Sequence, residues 1–198
     1  MKDLNEMQMG ALSEMGNIGA GNAATALSQL LNIKIDIKVP HVRVVPIEKT
    51  DDWFDRADVK IAIYLRVMGE APGKALFLMS PQSGQFLAKT LLSRDKSPDF
   101  DKDEMACSAI MEVGNVLVSS FLVALTNFSG ILMQSSIPAM SMDMLGAILQ
   151  GIFLDNDEVG DTVLIIDTEF SGTSDIEGLF LFLPDGDALE KLLGVFGL

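Results

Sequence analysis

Apolar residues recur at helical spacing from Leu4 through Met7, Ala11, Leu12, Met15, Ile18, Ala26 and Leu27 to Leu30. That period predicts one long helix with a buried stripe. Asn32 follows where a left-handed residue stops a helix. The pattern then changes: Ile33, Ile35, Ile37 and Val39 alternate, as in a strand with one buried face, and Pro40 ends the run. Val59, Ile61, Ile63, Leu65 and Val67 alternate again. Gly69-Glu70-Ala71-Pro72-Gly73 reads as a turn, and Lys74–Met79 returns as the second arm of a hairpin. Ser80-Pro81 opens a helix to about Leu92, with proline in its first turn.

The polar stretch Ser93–Phe100 joins this half to a second that reads alike. Asp101 with Glu104 resembles a capping box, Asp103 adds favourable charge to the first turn, and a long helix runs to about Phe128, with Gly130 as its stop. Ile131–Ile137 is expected as a strand, Met142–Phe153 as a short helix, Thr162–Thr168 and Gly178–Leu183 as paired strands. Pro184-Asp185 opens a last helix over Ala188–Phe196.

The likeness of the halves is a repeat. Glu14-Met15-Gly16-Asn17-Ile18 returns as Glu112-Val113-Gly114-Asn115-Val116, an offset of 98 residues. The same offset pairs Ala11 with Ala109, Leu12 with Ile110, Ala26-Leu27 with Ala124-Leu125, Ile33 with Ile131 and Pro40 with Pro138, without a gap. The expected fold is α/β (α+β): two pseudo-twofold helix–strand–hairpin–helix units, about 1–98 and 99–198, in a single domain. The halves are expected to share one mostly antiparallel sheet with helices packed on it.

Composition narrows the function. The 198 residues are 48% apolar, enough for a core, with 28 acidic against 14 basic residues and a net charge of −14. So negative a surface repels phosphate backbones, which sets nucleic acid aside, and suits a partner with exposed Lys or Arg. The single cysteine, Cys107, excludes an intrachain disulfide and a multi-cysteine metal site, as in a reducing compartment. The single histidine, His41, follows Pro40 and reads as a partly exposed strand residue rather than a catalytic base. The start Met1-Lys2-Asp3-Leu4-Asn5-Glu6 lacks the apolar run of a signal peptide, so a cytoplasmic protein is expected. Val113–Met142 holds no charged residue, but its Asn, Ser, Thr, Gln and Pro residues favour a buried helix and strand over a membrane span.

The candidate chemistry lies on the long helices. Glu14 and Asn17, three apart, share a helix face, with Gly10 four residues earlier on the same stripe; the second copy is Ser108, Glu112, Asn115. Most other positions there are apolar or small. Gly16, Gly19 and Gly21 each cost about 1 kcal/mol inside a helix relative to Ala, so close packing or close approach of a partner must offset them. Gly19-Ala20-Gly21-Asn22-Ala23-Ala24 also matches a dinucleotide fingerprint, but that motif needs a strand before it, and here a helix precedes it. A lone Glu–Asn pair would read as solvated surface; its duplication is what singles it out.

These residues resemble the CheC/CheX/FliY family of CheY-phosphate phosphatases. The family pattern is Asp or Ser, three residues, Glu, two residues, Asn, then twenty-two residues and Pro. Ser108, Glu112, Asn115 and Pro138 match throughout; Glu14, Asn17 and Pro40 match in the first half, where Gly10 takes the Asp/Ser position. Two motifs on one chain resemble CheC more than the dimeric CheX, and FliY carries extra switch segments.

The resemblance implies hydrolysis of the aspartyl phosphate of a CheY-type receiver in chemotaxis. It implies that Asn17 and Asn115 orient the attacking water, that Glu14 and Glu112 dock on the receiver's active-site Lys, that Ser108 supports the site and that Pro40 and Pro138 are structural. No cofactor of its own is expected, the Mg²⁺ being the receiver's. The family also implies a CheD deamidase as partner, which leaves an adaptor role as the alternative. A purely structural flagellar-switch domain is the more distant one.

Overall fold

The computed structural model describes residues 6–52, 54–154, 162–171 and 176–194. The elements are α1 (Glu6–Leu31), β1 (Asp36–Lys38), β2 (Val42–Pro46), a 3₁₀ turn (Ile47–Asp52), β3 (Val59–Gly69), β4 (Gly73–Met79), α2 (Pro81–Leu92), α3 (Glu104–Ser129), β5 (Met133–Ser135), β6 (Ala139–Met144), α4 (Leu145–Leu154), β7 (Thr162–Ser171), β8 (Ile176–Pro184) and α5 (Ala188–Gly194). The helix turns expected at Leu4 and Phe196 lie outside the described residues.

Among the described residues the strands form one eight-stranded sheet in the order β1-β7-β8-β4-β3-β5, with β2 also on β7 and β6 also on β3. Every pairing among the described residues is antiparallel. The short strands after each long helix pair with the hairpin of the other half, so each half completes its twin's sheet. Register carries the duplication into three dimensions. Val42 stands opposite Ile166, and Met140 stands opposite Ile63. Ile37 opposite Phe170 is matched by Ser135 opposite Val67. The strands after the helices therefore keep the offset of 98, while the hairpins are offset by 103 because of the longer connection through α4. Phe77 and Phe180, counterparts at that second offset, pair with each other on β4 and β8. A pseudo-twofold axis passes between them, normal to the sheet.

Alternation along the strands sends side chains to two faces. On one face Ile61, Ile63, Leu65, Phe77, Leu164, Ile166, Phe180 and Phe182 meet the apolar stripes of α1, α2, α3 and α5. On the other, Ala62, Leu76, Leu78, Val163, Ile165 and Leu181 are covered by Leu145, Ile148 and Leu149 of α4. This forms a second, smaller layer on the opposite face of the sheet. Lys74 also points into it; it is 2% exposed and its Nζ donates to the Ile152 carbonyl at 2.7 Å, at the C-terminal turn of α4 where a cation is favoured.

Helix ends follow the expected chemistry in most places. Asn32 (φ 52°) and Gly130 (φ 71°) both adopt the left-handed conformation. Ser80 accepts a hydrogen bond from the Ser83 amide, with Pro81 next. The cap of α3 is Asp103, not Asp101: Asp99 takes the Asp101 amide on its side chain and the Lys102 and Asp103 amides on its carbonyl, holding that segment in a turn, so the helix opens only at Glu104. Asp103 then accepts from the Ala106 amide at 3.0 Å.

Four strand assignments need correction, one being the strand expected over Ile131–Ile137, which is only Met133–Ser135. The strand expected over Ile33–Val39 is only Asp36–Lys38, because the Ser28 hydroxyl of α1 bonds both the amide and the carbonyl of Ile35. His41, expected as a partly exposed strand residue, is exposed and lies just outside a strand, which is Val42–Pro46. Met142–Met144, expected as the start of a helix, instead pairs with β3, and the helix begins at Leu145. α3 is long and apolar enough to cross a membrane by length and composition, but 56% of its apolar window is buried inside the fold.

Candidate functional site

On α1 the inward positions are Leu12, Met15, Gly16, Gly19, Ala20, Ala23, Leu27 and Leu31. The opposite stripe is Gly10, Glu14, Asn17 and Gly21, all exposed. On α3, Ile110, Val113, Gly114, Leu117, Val118 and Phe121 point inward. Ser108 and Glu112 are exposed, and Asn115 is half-buried. Each Glu–Asn pair therefore shares one face of its helix, as the spacing predicts, and that face points outward.

The glycine inside each motif explains how so small a helix face carries the pair. A Cβ at Gly114 would lie 2.5 Å from Ile63, and one at Gly16 would lie 3.3 Å from both Val39 and Val42. Glu faces out, Gly is pressed on the sheet, and Asn faces out again. Gly19 serves the helix crossing: a Cβ there would lie 2.5 Å from Cδ1 of Phe121 and 3.2 Å from its Cα. Gly21 is different, since an added Cβ meets nothing within 4 Å.

A twofold axis normal to a sheet reverses directions within the layer. α1 and α3, packed on each other, therefore run antiparallel, and the motifs lie on either side of the Gly19–Phe121 contact. The two Glu–Asn pairs therefore lie apart rather than in one cluster.

Pro40 and Pro138 stand at matching irregularities. Between Lys38↔Glu169 and Val42↔Ile166, three residues of the first chain segment face two of β7. Between Ser135↔Val67 and Ala139↔Tyr64, three again face two. Each proline lies in a one-residue bulge, where a missing amide is tolerated. Beside Pro40, His41 is exposed and its carbonyl accepts from the Asp167 amide at 3.0 Å.

Two features escaped the sequence reading. Met7, expected above in the buried stripe, faces outward instead; it and Met105 are counterparts at the offset of 98, each seven residues before its Glu on the same stripe, and they are 67% and 58% exposed. Identity at the repeat offset was the available signal. The second is Ser119, half-buried one turn after Asn115, whose hydroxyl donates to Asn115 Oδ1 at 3.4 Å. A shallow groove of about 270 Å³, lined by Tyr64, Met140, Asp143 and Ile148 among others, lies between α4 and β6 and contains none of the motif residues. Among the described residues, no three His, Cys, Asp or Glu side chains converge as a metal-binding group.

Comparison with known proteins agrees with this layout. Residues 7–43, which hold the first motif and its proline, match the model of the CheC-like family. The CheY-P phosphatase CheC of Bacillus subtilis is 36% identical over 204 aligned residues, covering 98% of this chain and 96% of that protein. The flagellar motor switch phosphatase FliY of the same organism is 35% identical over 119 residues, 60% of this chain and 31% of that protein. Among solved structures, Thermotoga maritima FliY superposes with a TM-score of 0.79 at 21% identity, covering 98% of both chains. With a relative of this identity matched along nearly its whole length, and with both Glu–Asn motifs on outward helix faces, the chain belongs to the CheC-like family.

Proposed function

We propose that this protein is a CheY-P phosphatase acting on the aspartyl phosphate of a CheY-type receiver through two sites, Glu14 with Asn17 and Glu112 with Asn115. The observation that carries this reading is the outward presentation of the same Glu–Asn pair on both packed helices, each held by a buried glycine. A receiver supplies its own phosphoryl group, Mg²⁺ and Lys, so the partner has to add little beyond position. The water oxygen attacks phosphorus, the bond from phosphorus to the receiver's carboxylate oxygen breaks, and the proton leaves with inorganic phosphate. The Asp carboxylate is regenerated.

Asn suits the water-placing role because its amide both accepts and donates hydrogen bonds. Glu suits docking because an ionised carboxylate accepts from the receiver's Lys in a charge-assisted bond. Met7 and Met105 extend each site toward the helix N-terminus with exposed apolar surface for the same receiver to cover. Ser108 lies between Met105 and Glu112 and adds a hydroxyl that Gly10 lacks. The excess of 28 acidic over 14 basic residues favours encounter with a partner presenting Lys.

The test is a steady-state phosphate-release assay on a phosphorylated receiver. Glu14→Ala with Glu112→Ala is expected to raise KM, because docking is lost. Asn17→Ala with Asn115→Ala is expected to lower kcat. Equal KM and kcat in all variants would overturn the assignment. Binding of a CheD deamidase by the double Asn variant, measured alongside, separates an adaptor role from the catalytic one.

A further inference from the structure

The two sites are not equivalent. One turn beyond the motif asparagine, α1 carries Gly21 where α3 carries Ser119, counterparts at the offset of 98. No packing demands glycine at 21, since an added Cβ meets nothing within 4 Å. In α3 the Ser119 hydroxyl donates to Asn115 Oδ1 at 3.4 Å. Thr25, Thr90, Ser120 and Ser129 behave in the ordinary helical way, each donating to the backbone carbonyl four residues back. Asn115 is half-buried while Asn17 is exposed.

We propose that Ser119 is a positioning residue for Asn115, and that the first site, with Gly21 in its place, turns over more slowly. The inference rests on the reading that Asn115 places the attacking water. A carboxamide has two orientations of nearly equal shape and opposite polarity, and its last torsion is broad. The contact with Ser119 restrains that torsion, with Oδ1 toward the hydroxyl. It uses one lone pair, leaving the other and both N–H bonds for water and the phosphoryl group. Asn17 has no hydroxyl one turn on, where α1 carries Gly21.

The experiment uses the full chain and a phosphorylated CheY-type receiver in two backgrounds. With Asn17→Ala, only the second site works; there Ser119→Ala is expected to lower kcat about two- to tenfold, the worth of one hydrogen bond, with KM unchanged. Ser119→Thr, which keeps the hydroxyl, is expected to retain most of the rate. With Asn115→Ala, only the first site works; there Gly21→Ser is expected to raise kcat about two- to tenfold. Gly21→Ala, which stiffens the helix without a hydroxyl, is expected not to. Insensitivity of kcat to Ser119→Ala, or an equal gain from Gly21→Ala and Gly21→Ser, overturns the proposal. A double Asn variant as active as the parent overturns the water-placing reading as well; an inactive double variant with an insensitive Ser119 overturns this inference alone.

Discussion

Phe77 and Phe180 stand opposite each other across β4 and β8, and each is the other's counterpart in the duplication. Both are fully buried; Phe77 meets Phe170 edge-on at 6.0 Å between ring centres, and Phe180 stacks on Phe121 of α3 at 4.7 Å. The pair ties the sheet's midline to a motif helix. Phe77→Ala and Phe180→Ala are each expected to cost about 3–5 kcal/mol, read from the urea unfolding midpoint. A loss below 1 kcal/mol at both would deny the pair this place in the core.

Gly19 and Gly21 are expected to respond with opposite sign. Gly19→Ala drives a methyl into Phe121, whose backbone as well as ring is close, so overpacking of about 1–3 kcal/mol exceeds the gain in helix propensity. Gly21→Ala meets open space and is expected to stabilise by about 0.5–1 kcal/mol. Equal effects in the same assay would contradict the packing described at the crossing.

Met7 and Met105 are expected to matter for docking alone. Being exposed, they contribute little to folding, so Met7→Ala with Met105→Ala leaves the unfolding midpoint within about 0.5 kcal/mol of the parent. The same change is expected to raise KM about three- to tenfold with kcat unchanged, from apolar area no longer covered by the receiver. An unchanged KM would remove them from the interface.

Cys107 is expected to be a slow thiol. Burial pushes its pKa up, and the negative charges of Asp103, Asp101 and Glu104 add to the shift. A raised pKa means less thiolate at a given pH, so alkylation at pH 8 should be slower than for an unstructured cysteine peptide and should accelerate as pH rises further. Asp101→Asn removes one negative neighbour and should speed the reaction at pH 8.

The repeat was legible because its marks are local: Glu14, Gly16, Asn17 and Pro40 recur in one register, and Asn32, Gly130 and Ser80-Pro81 announce helix ends in a few residues. The hairpin of β3 and β4 was legible for the same reason. β2 and β6 were not, because each exists only through pairing with the other half's hairpin, and local pattern carries no information about so distant a partner. In β6, Met142 and Met144 are exposed, so the apolar run merged with α4 and read as one helix. That the motif residues share one helix face followed from spacing; the contrast between Gly21 and Ser119 did not, because it lies beyond the motif and shows only when both helices are compared residue by residue.

The central claim is tested most directly by the rate at which a phosphorylated CheY-type receiver loses its phosphoryl group in the presence of the chain carrying Asn17→Ala and Asn115→Ala together. The account predicts that this rate falls to that of the receiver alone while the variant's unfolding midpoint stays near the parent's. Hydrolysis at the parent rate by the folded double variant would contradict it.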